Sequence, residues 1–529
     1  MAPTKSNAQG VPALGTTSAH GRNGFGSRQI LPEIPSQPRL QLTAGQQQAL
    51  DLLAPIFRGE SPGARAALTG YAGTGKTFLS ARLIGLAMER IPGAEGERDP
   101  RGRWQTFPSV VVVAPTHKAA RQLERALAGY GLDQVKAATM HSALGLRPLR
   151  NEGQQSFQPE PGAKCLIGEQ TVLVVVDETS MVSAELAGWL LDALPQDAAL
   201  VAIGDPAQLQ PVGDATLCPL FEAPVRAHLA EVVRHAGPIL GLATATRKLG
   251  SGRPQFCTSH GSQSSVTAYR SFGEWRKAAM QACIAANRVG NIDGARVLCW
   301  TNAAADKFNR ELHQAVYGTD APPYVAGQPV VSADVILGFD GFPIVGSTCE
   351  MRLLEVTPGQ GHVAGDELQA VREALLGKRK TKAGVLITPW KWWDVRAEIA
   401  GSPGRPVSFR VLSPEAEQVQ SWRKANNAIA ALAKEASAAG GKEAAKPYWQ
   451  TFWSRKDGFG AINPVWAATI HKAQGSTFEE VFLHPDLDRN QEAAALNQLA
   501  YVGITRASAG LHVIADREQL ATGLQGVAK

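Results

Sequence analysis

At 529 residues the chain exceeds what one hydrophobic core of ordinary size holds, so three or four domains are expected. Hydrophobic residues make up 44% of it, and no apolar run approaches the roughly eighteen residues of a membrane span, which excludes a helical membrane protein and leaves a soluble globular one. A net charge of +6 and a pI near 9.0 suit a polyanionic partner, but so small an excess on so long a chain decides nothing alone. Cys165, Cys218, Cys257, Cys283, Cys299 and Cys349 are scattered, with no C-x-x-C pair and no His at zinc-ligand spacing, which fits reduced thiols in a cytoplasmic protein.

The N-terminal arm, residues 1–38, is rich in Gly, Ser, Pro and Asn and reads as disordered; Lys5, Arg22 and Arg28, with Arg39 just after it, against Glu33 make it a weak tether to nucleic acid or an inert tail. From 39 to 240, short β-rich runs alternate with helical stretches. Ala66–Thr69, Ser109–Ala114, Thr171–Val176 and Ala198–Gly204 are apolar almost throughout, as strands of a parallel sheet buried on both faces are. Within this first α/β domain, residues 92–108 read as an exposed loop. The polar, turn-rich stretch Arg147–Cys165 reads as a β-hairpin inserted at about 145–168.

A second α/β pattern opens in 241–323 with Arg296–Trp300, breaks off, and resumes in 461–529 with strands at Glu480–His484 and Gly510–Ala515. The interrupting residues 324–460 carry short Val/Gly-rich runs, a basic cluster of Lys378, Arg379, Lys380 and Lys382, and an Ala-rich helix near Glu415–Ala439. Their aromatics, Trp390, Trp392, Trp393, Tyr448, Trp449, Phe452 and Trp453, could stack on bases, although clustered aromatics more commonly form core. No internal repeat is evident.

Gly70-Tyr71-Ala72-Gly73-Thr74-Gly75-Lys76-Thr77 follows a strand, opens a helix and fits G-x-x-x-x-G-K-[ST] completely. Glycines let backbone amides turn inward around phosphate oxygens, and the helix N-terminus adds its dipole. Lys76 then reaches the β- and γ-phosphates of ATP, and Thr77 ligates Mg²⁺. The run Val172–Val176 ends in Asp177 and Glu178, where a second magnesium-shell residue and a water-activating base belong. Gly204-Asp205-Pro206-Ala207-Gln208 leaves the next buried strand, so the Gln208 amide is a candidate sensor of the γ-phosphate. Leu229–Arg234 ends the first domain on an arginine, while Thr469–Thr477 and Tyr501–Ala507 lie in the second, pointing to a nucleotide cleft between domains.

In order and wording these segments resemble the helicase motifs of superfamily 1, in the branch that includes RecD and Dda, from Leu42 to Asp516. The resemblance implies two tandem RecA-like P-loop domains, with a β-hairpin inserted in the first and a small SH3-like β-barrel with a helical extension in the second. It makes Gln46 the adenine-recognising amide, Gly70, Gly73, Thr74, Gly75 and Gly475 nucleotide-cradling residues, and Glu480 a neighbour of the ribose. Arg234 and Arg506 become the γ-phosphate arginines, Arg506 as the finger. Pro115, Thr116 and His117, with Thr139 and His141, resemble the DNA-contacting motifs of the first domain, and Thr301, Asn302, Thr469 and His471 those of the second. Each hydroxyl could equally cap the helix that follows it.

The function so implied is that of an ATP-dependent DNA helicase moving 5′ to 3′ on single-stranded DNA and opening single-strand/duplex junctions in replication, recombination or repair. A bacterial or host cytoplasm, activity as a monomer, and replication or recombination proteins as partners go with it. A translocase that strips proteins, or an RNA helicase, would carry the same motor motifs. Intact Lys76, Glu178, Gln208 and Arg506 argue against a mere ATP-switched binding module.

Overall fold

The structure, a computed structural model, describes residues 42–99, 104–151, 154–159, 165–211, 216–231, 237–250, 252–338, 343–378, 387–401 and 404–515. The N-terminal arm, Arg234, and Arg379, Lys380 and Lys382 of the basic cluster lie outside the described residues.

The apolar runs of the first half become β1 (Arg65–Gly70), β2 (Val110–Ala114), β3 (Ala137–Thr139), β4 (Leu173–Val176), β5 (Ala199–Gly204) and β6 (Val225–Leu229). They pair in parallel, in the order β6-β1-β5-β4-β2-β3. Every residue of β2, β4 and β5 is buried, because helices cover both faces of the sheet. Leu53, Leu83, Ile84 and Leu127 pack on one face, and Met140, Val182, Leu186 and Phe221 on the other. Leu146–Asn151 pairs antiparallel with Gln154–Pro159 as a hairpin leaving this unit. Residues 92–108 are not a bare loop. Glu97–Arg98 pairs with Trp104–Thr106, and the Arg98 guanidinium lies 3.7 Å over the Trp104 ring.

A second sheet is assembled from both sides of the interruption. It joins β7 (Ser259–His260), β8 (Ser265–Tyr269) and β9 (Ala295–Cys299) to three later strands: β15 (Ala467–Thr469), β16 (Phe478–Leu483) and β17 (Ala507–Ile514). Their order is β7-β8-β17-β16-β9-β15, parallel except for the β7 edge. The helix Pro238–Arg247 contributes Ile239 and Ala243 to this unit's core and runs unbroken across residue 240, so the first unit ends before Pro238.

Between β9 and β15 stand β10 (Pro329–Ser332), β11 (Glu350–Gly361), β12 (Trp390–Ile399), β13 (Val407–Leu412) and β14 (Ile462–Pro464). They form a five-stranded antiparallel sheet ordered β13-β12-β11-β10-β14. The helical stretch Ala416–Asp457 is broken at Gly441, whose φ of 76° a helix cannot continue through. Trp390 is 2% exposed and donates its indole N–H to Asp366, which also pairs with the buried Arg455 at 2.7 Å. Together with the buried Phe452 and Trp453, Trp390 is core. Among the described residues no helix is long and apolar enough to cross a membrane.

Candidate functional site

The phosphate loop leaves β1 at Gly70, where a β-carbon would crowd Thr74 Oγ1 at 2.8 Å and Leu229 at 2.9 Å. Gly73 and Gly75 take φ of 80° and 83°, a left-handed geometry that side chains resist. Gly75 caps the helix Lys76–Arg90, and the exposed Thr77 lies in its first turn. Lys76 Nζ donates to the carbonyls of Gly70 at 2.7 Å and Tyr71 at 3.0 Å. Burial pulls its pKa down, opposed by the charges of Asp205, Glu178 and Asp177, and Arg506 lowers it further. These five charges therefore act on one another where the two parallel-sheet units meet, at the contact of Tyr501 with Asp205 and Ala72.

Asp177 follows β4, and burial, then the charge of Glu178, pushes its carboxyl up. Glu178 itself sits at φ 48°, a costly conformation for a residue with a side chain. Two crowded carboxylates are hard-oxygen donors whose repulsion a divalent cation would relieve, and the Thr77 hydroxyl is a further donor of that kind. Arg506, 7% exposed, donates to Val502 O at 3.2 Å, Ser476 O at 3.1 Å and Thr505 Oγ1 at 3.1 Å, all within the second unit. Burial lowers its pKa while Glu178 and Asp205 hold it up, so it faces the acids of the first unit without bonding them.

Gln208 is buried at the junction. Gln474 Nε2 donates to its side-chain oxygen at 3.3 Å and to Leu209 O at 2.9 Å, and Gln498 Nε2 to its backbone carbonyl at 2.7 Å. Leu209 leaves the first unit altogether and packs in the core of the second, with Ile470, Leu499 and Val502.

Three other nucleotide candidates stand differently. Gln46 closes a capping box with Thr43 and donates from Nε2 to Thr74 O at 3.0 Å. Its amide thus braces the phosphate loop from behind and is only 2% exposed. Glu480 lies on β16. Its carboxylate is taken up by His512 Nε2 at 2.6 Å, in a chain continued by Tyr269 Oη. Gly475 holds φ 71° beside the buried Gln474.

The candidate strand contacts fall on equivalent edges of the two sheets. In the first, Ala114 of β2 registers with Thr139 of edge strand β3; in the second, Cys299 of β9 registers with Thr469 of edge strand β15. Thr116, Thr139, Thr301 and Thr469 each cap a helix through Oγ1, accepting from the amides of Ala119, Ser142, Ala304 and Lys472. Capping and strand contact need not compete, because the cap fixes the turn that carries Pro115, His117, His141, Asn302 or His471. Thr301 also donates Oγ1–H to Asp486 Oδ2 at 2.9 Å, a partner that no spacing argument pointed to.

This equivalence is written in the chain after all. Ala137–Gly145 reads AATMHSALG and Ala467–Gly475 reads AATIHKAQG, sharing Ala-Ala-Thr, the histidine, the next alanine and the glycine. Each is an edge strand running into a one-turn helix, and Gly145 and Gly475 are both left-handed, at φ 61° and 71°. The signal is short and split between domains, which is why a search for repeats along the chain passes over it.

Beside the first edge a cavity of about 660 Å³ opens between His117, Arg121, Thr139 and His141, Phe157 of the hairpin, and Val345, Gly346 and Cys349 just ahead of β11. His117 packs against Gly346 so closely that a β-carbon there would collide with its ring. Burial lowers the pKa of His117, His141 and His471 below the ordinary histidine value, with Arg121 and His141 adding to it at His117.

Residues 41–271 match a family model described as an AAA domain, and residues 464–514 a UvrD-like helicase C-terminal domain; together the two span more than half of the chain. The ATP-dependent DNA helicase dda of Enterobacteria phage T4 is 24% identical over 88% of this chain and 97% of its own length. The RecBCD enzyme subunit RecD of Mycolicibacterium smegmatis is 34% identical over 34% of this chain and 32% of its own. For the ATP-dependent RecD2 DNA helicase of Deinococcus radiodurans the figures are 32% identity, 40% of this chain and 24% of the relative. Its two family-model domains, its two parallel-sheet units and its likeness along nearly the whole length of the phage protein make the chain a homologue of the Dda and RecD helicases, consistent with the superfamily 1 branch that its motifs resemble.

Proposed function

We propose that this protein is an ATP-driven motor that moves 5′ to 3′ along single-stranded DNA and opens the duplex ahead of it. The observation that carries the reading is the cleft, where Lys76, Asp177, Glu178 and Asp205 of one unit and Arg506 of the other act on one another's charge. A site completed only by two units is one whose turnover can be coupled to their relative movement.

ATP binding draws Lys76 off the Gly70 and Tyr71 carbonyls and onto phosphate oxygens. Thr77 and Asp177 would hold Mg²⁺, which neutralises phosphate charge when bound. Glu178 takes the proton of the attacking water as the bond from the γ-phosphorus to ADP breaks, and Gln208 orients that water. Arg506 exchanges its own-unit carbonyls for the charge developing on the transferred phosphoryl group. Arg234 is read as the second arginine at that phosphate. Gln46 supports the adenine side through its hold on the loop, and Glu480 is left out of the site because His512 engages it.

The two strand edges grip alternately as the cleft closes and opens. Their hydroxyl, amide and imidazole groups suit phosphate and sugar, so grip is independent of sequence. We read the hairpin at 146–159 as the wedge, and the inserted antiparallel sheet with its helices as an SH3-like barrel with a helical extension. Duplexes carrying a 5′ or a 3′ single-stranded tail test the proposal: with ATP the 5′-tailed one is opened and the 3′-tailed one is not. Preference for the 3′ tail would refute the direction, and hydrolysis without opening of either would leave a translocase.

A further inference from the structure

Tyr501 belongs to the second unit, in the helix Ala493–Ile504, and is 2% exposed, yet its hydroxyl is spent on the first unit. It donates to Asp205 Oδ2 at 2.5 Å and accepts from the phosphate-loop amide of Ala72 at 3.0 Å. Asp205 is fully buried. Its other oxygen accepts from Ala207 N at 2.9 Å and its backbone carbonyl from Gln208 N at 3.1 Å, so it shapes the turn that presents Gln208. Arg506 hangs from the other end of the same element: Thr505 N donates to Tyr501 O at 3.1 Å, and Arg506 Nε to the neighbouring Val502 O at 3.2 Å.

We infer that Tyr501 is a positioning residue for ATP hydrolysis, its hydroxyl holding the phosphate loop, the Gln208 turn and the Arg506 element in one register across the cleft. The inference rests on the motor reading above. A phenol can satisfy an amide and a carboxylate at once. Phenylalanine keeps the ring but leaves the half-buried Ala72 N–H and an oxygen of the buried Asp205 without this partner. Asp205 is also the acid that most supports the Lys76 charge, so a displaced Asp205 reaches the phosphate-binding lysine as well. Adhesion between the units does not depend on this hydroxyl, because Leu209, Gln474 and Gln498 join them independently.

The test compares Tyr501→Phe with the parent at saturating single-stranded DNA, well below the melting temperature of either. Turnover is expected to fall about tenfold or more, while affinity for a non-hydrolysable ATP analogue stays within about threefold. Added to Arg506→Ala, which already removes one of the groups being positioned, Tyr501→Phe is expected to cost a smaller factor in turnover than it costs the parent. Asp205→Asn, which weakens the same bridge from its other side, is expected to lower turnover in the same direction. An active parent with unchanged turnover in Tyr501→Phe, or with only a lowered melting temperature, would overturn the inference alone. A parent that hydrolyses no ATP with DNA present would overturn the motor reading and the inference with it.

Discussion

Lys118 and Glu350 form a 2.7 Å ion pair that ties the first turn of the helix after β2 to the first residue of β11 in the inserted sheet. Arg296 of β9, only 3% exposed, reaches the same carboxylate oxygen at 3.3 Å, so one acid joins both motor units and the insertion. Burial alone would raise the Glu350 carboxyl, but Arg296 and Lys118 outweigh it and hold the group below the ordinary glutamate range. Burial pulls Lys118 down, and the charge of Arg296 adds to it, against the support of Glu350.

Glu350→Gln is therefore expected to destabilise the protein by roughly 3 kcal/mol, since it leaves two enclosed cations without their acid. Lys118→Met is expected to cost less, because Arg296 keeps Glu350 paired. A carboxyl depressed by folding stabilises above its unfolded value of 4.5, and that part is lost as pH falls through the lower folded value. Urea unfolding of parent and Glu350→Gln across the acid range checks both: the gap between them narrows toward acid. A constant gap would contradict the charge argument.

Affinity for single-stranded DNA is expected to rise as pH falls from about 8 to about 6, because phosphate favours the protonated form of imidazoles that are neutral in the free protein. Folding runs the other way. Histidines lowered by burial stabilise above their unfolded value of 6.5 and lose that contribution as pH falls through the folded value, which limits how acid the assay can be. Fluorescence anisotropy at fixed ionic strength gives the profile, and His117→Gln or His471→Gln should flatten it. A parental profile that is already flat would mean that these rings stay neutral on DNA.

Thr469→Ala is expected to cost about 1 kcal/mol of stability through the lost helix cap. It should also raise the DNA concentration needed to half-saturate ATP turnover. Thr469→Ser keeps the capping oxygen and should restore both. Thr139 of the equivalent edge should behave alike, and restored stability without restored DNA response would assign the methyl group a separate role.

How much of this was legible in the sequence follows from how local each feature is. The phosphate loop was readable because its amides, its left-handed Gly73 and Gly75, and Lys76 are consecutive residues. The buried strands were readable because helices on both faces demand unbroken apolar runs. Tyr501 with Asp205, Lys118 with Glu350, and Thr301 with Asp486 were not, because each joins side chains far apart in the chain by a single bond. The bond of Glu480 to His512, on the neighbouring strand, had no signal for a related reason: it joins two side chains of different motifs. Trp390 could have been a stacking platform or core on composition alone; the buried acid Asp366 beneath its indole N–H makes it core.

Lys76→Ala is expected to abolish turnover, since the phosphate charge loses its principal cation. Arg506→Ala should keep most nucleotide binding and lose hydrolysis by roughly a thousandfold or more. Equilibrium binding of a fluorescent ATP analogue beside steady-state turnover separates the two effects. Normal turnover in Arg506→Ala would remove it from the catalytic cleft.

Steady-state ATP hydrolysis by the parental protein with single-stranded DNA, duplex DNA, RNA or no nucleic acid, over a range of salt, tests most directly whether the protein is a DNA-driven motor. Strong stimulation by single-stranded DNA is expected. The DNA concentration required should climb steeply with salt, as release of counterions from phosphate contacts demands. Equal hydrolysis with and without nucleic acid would contradict the motor reading.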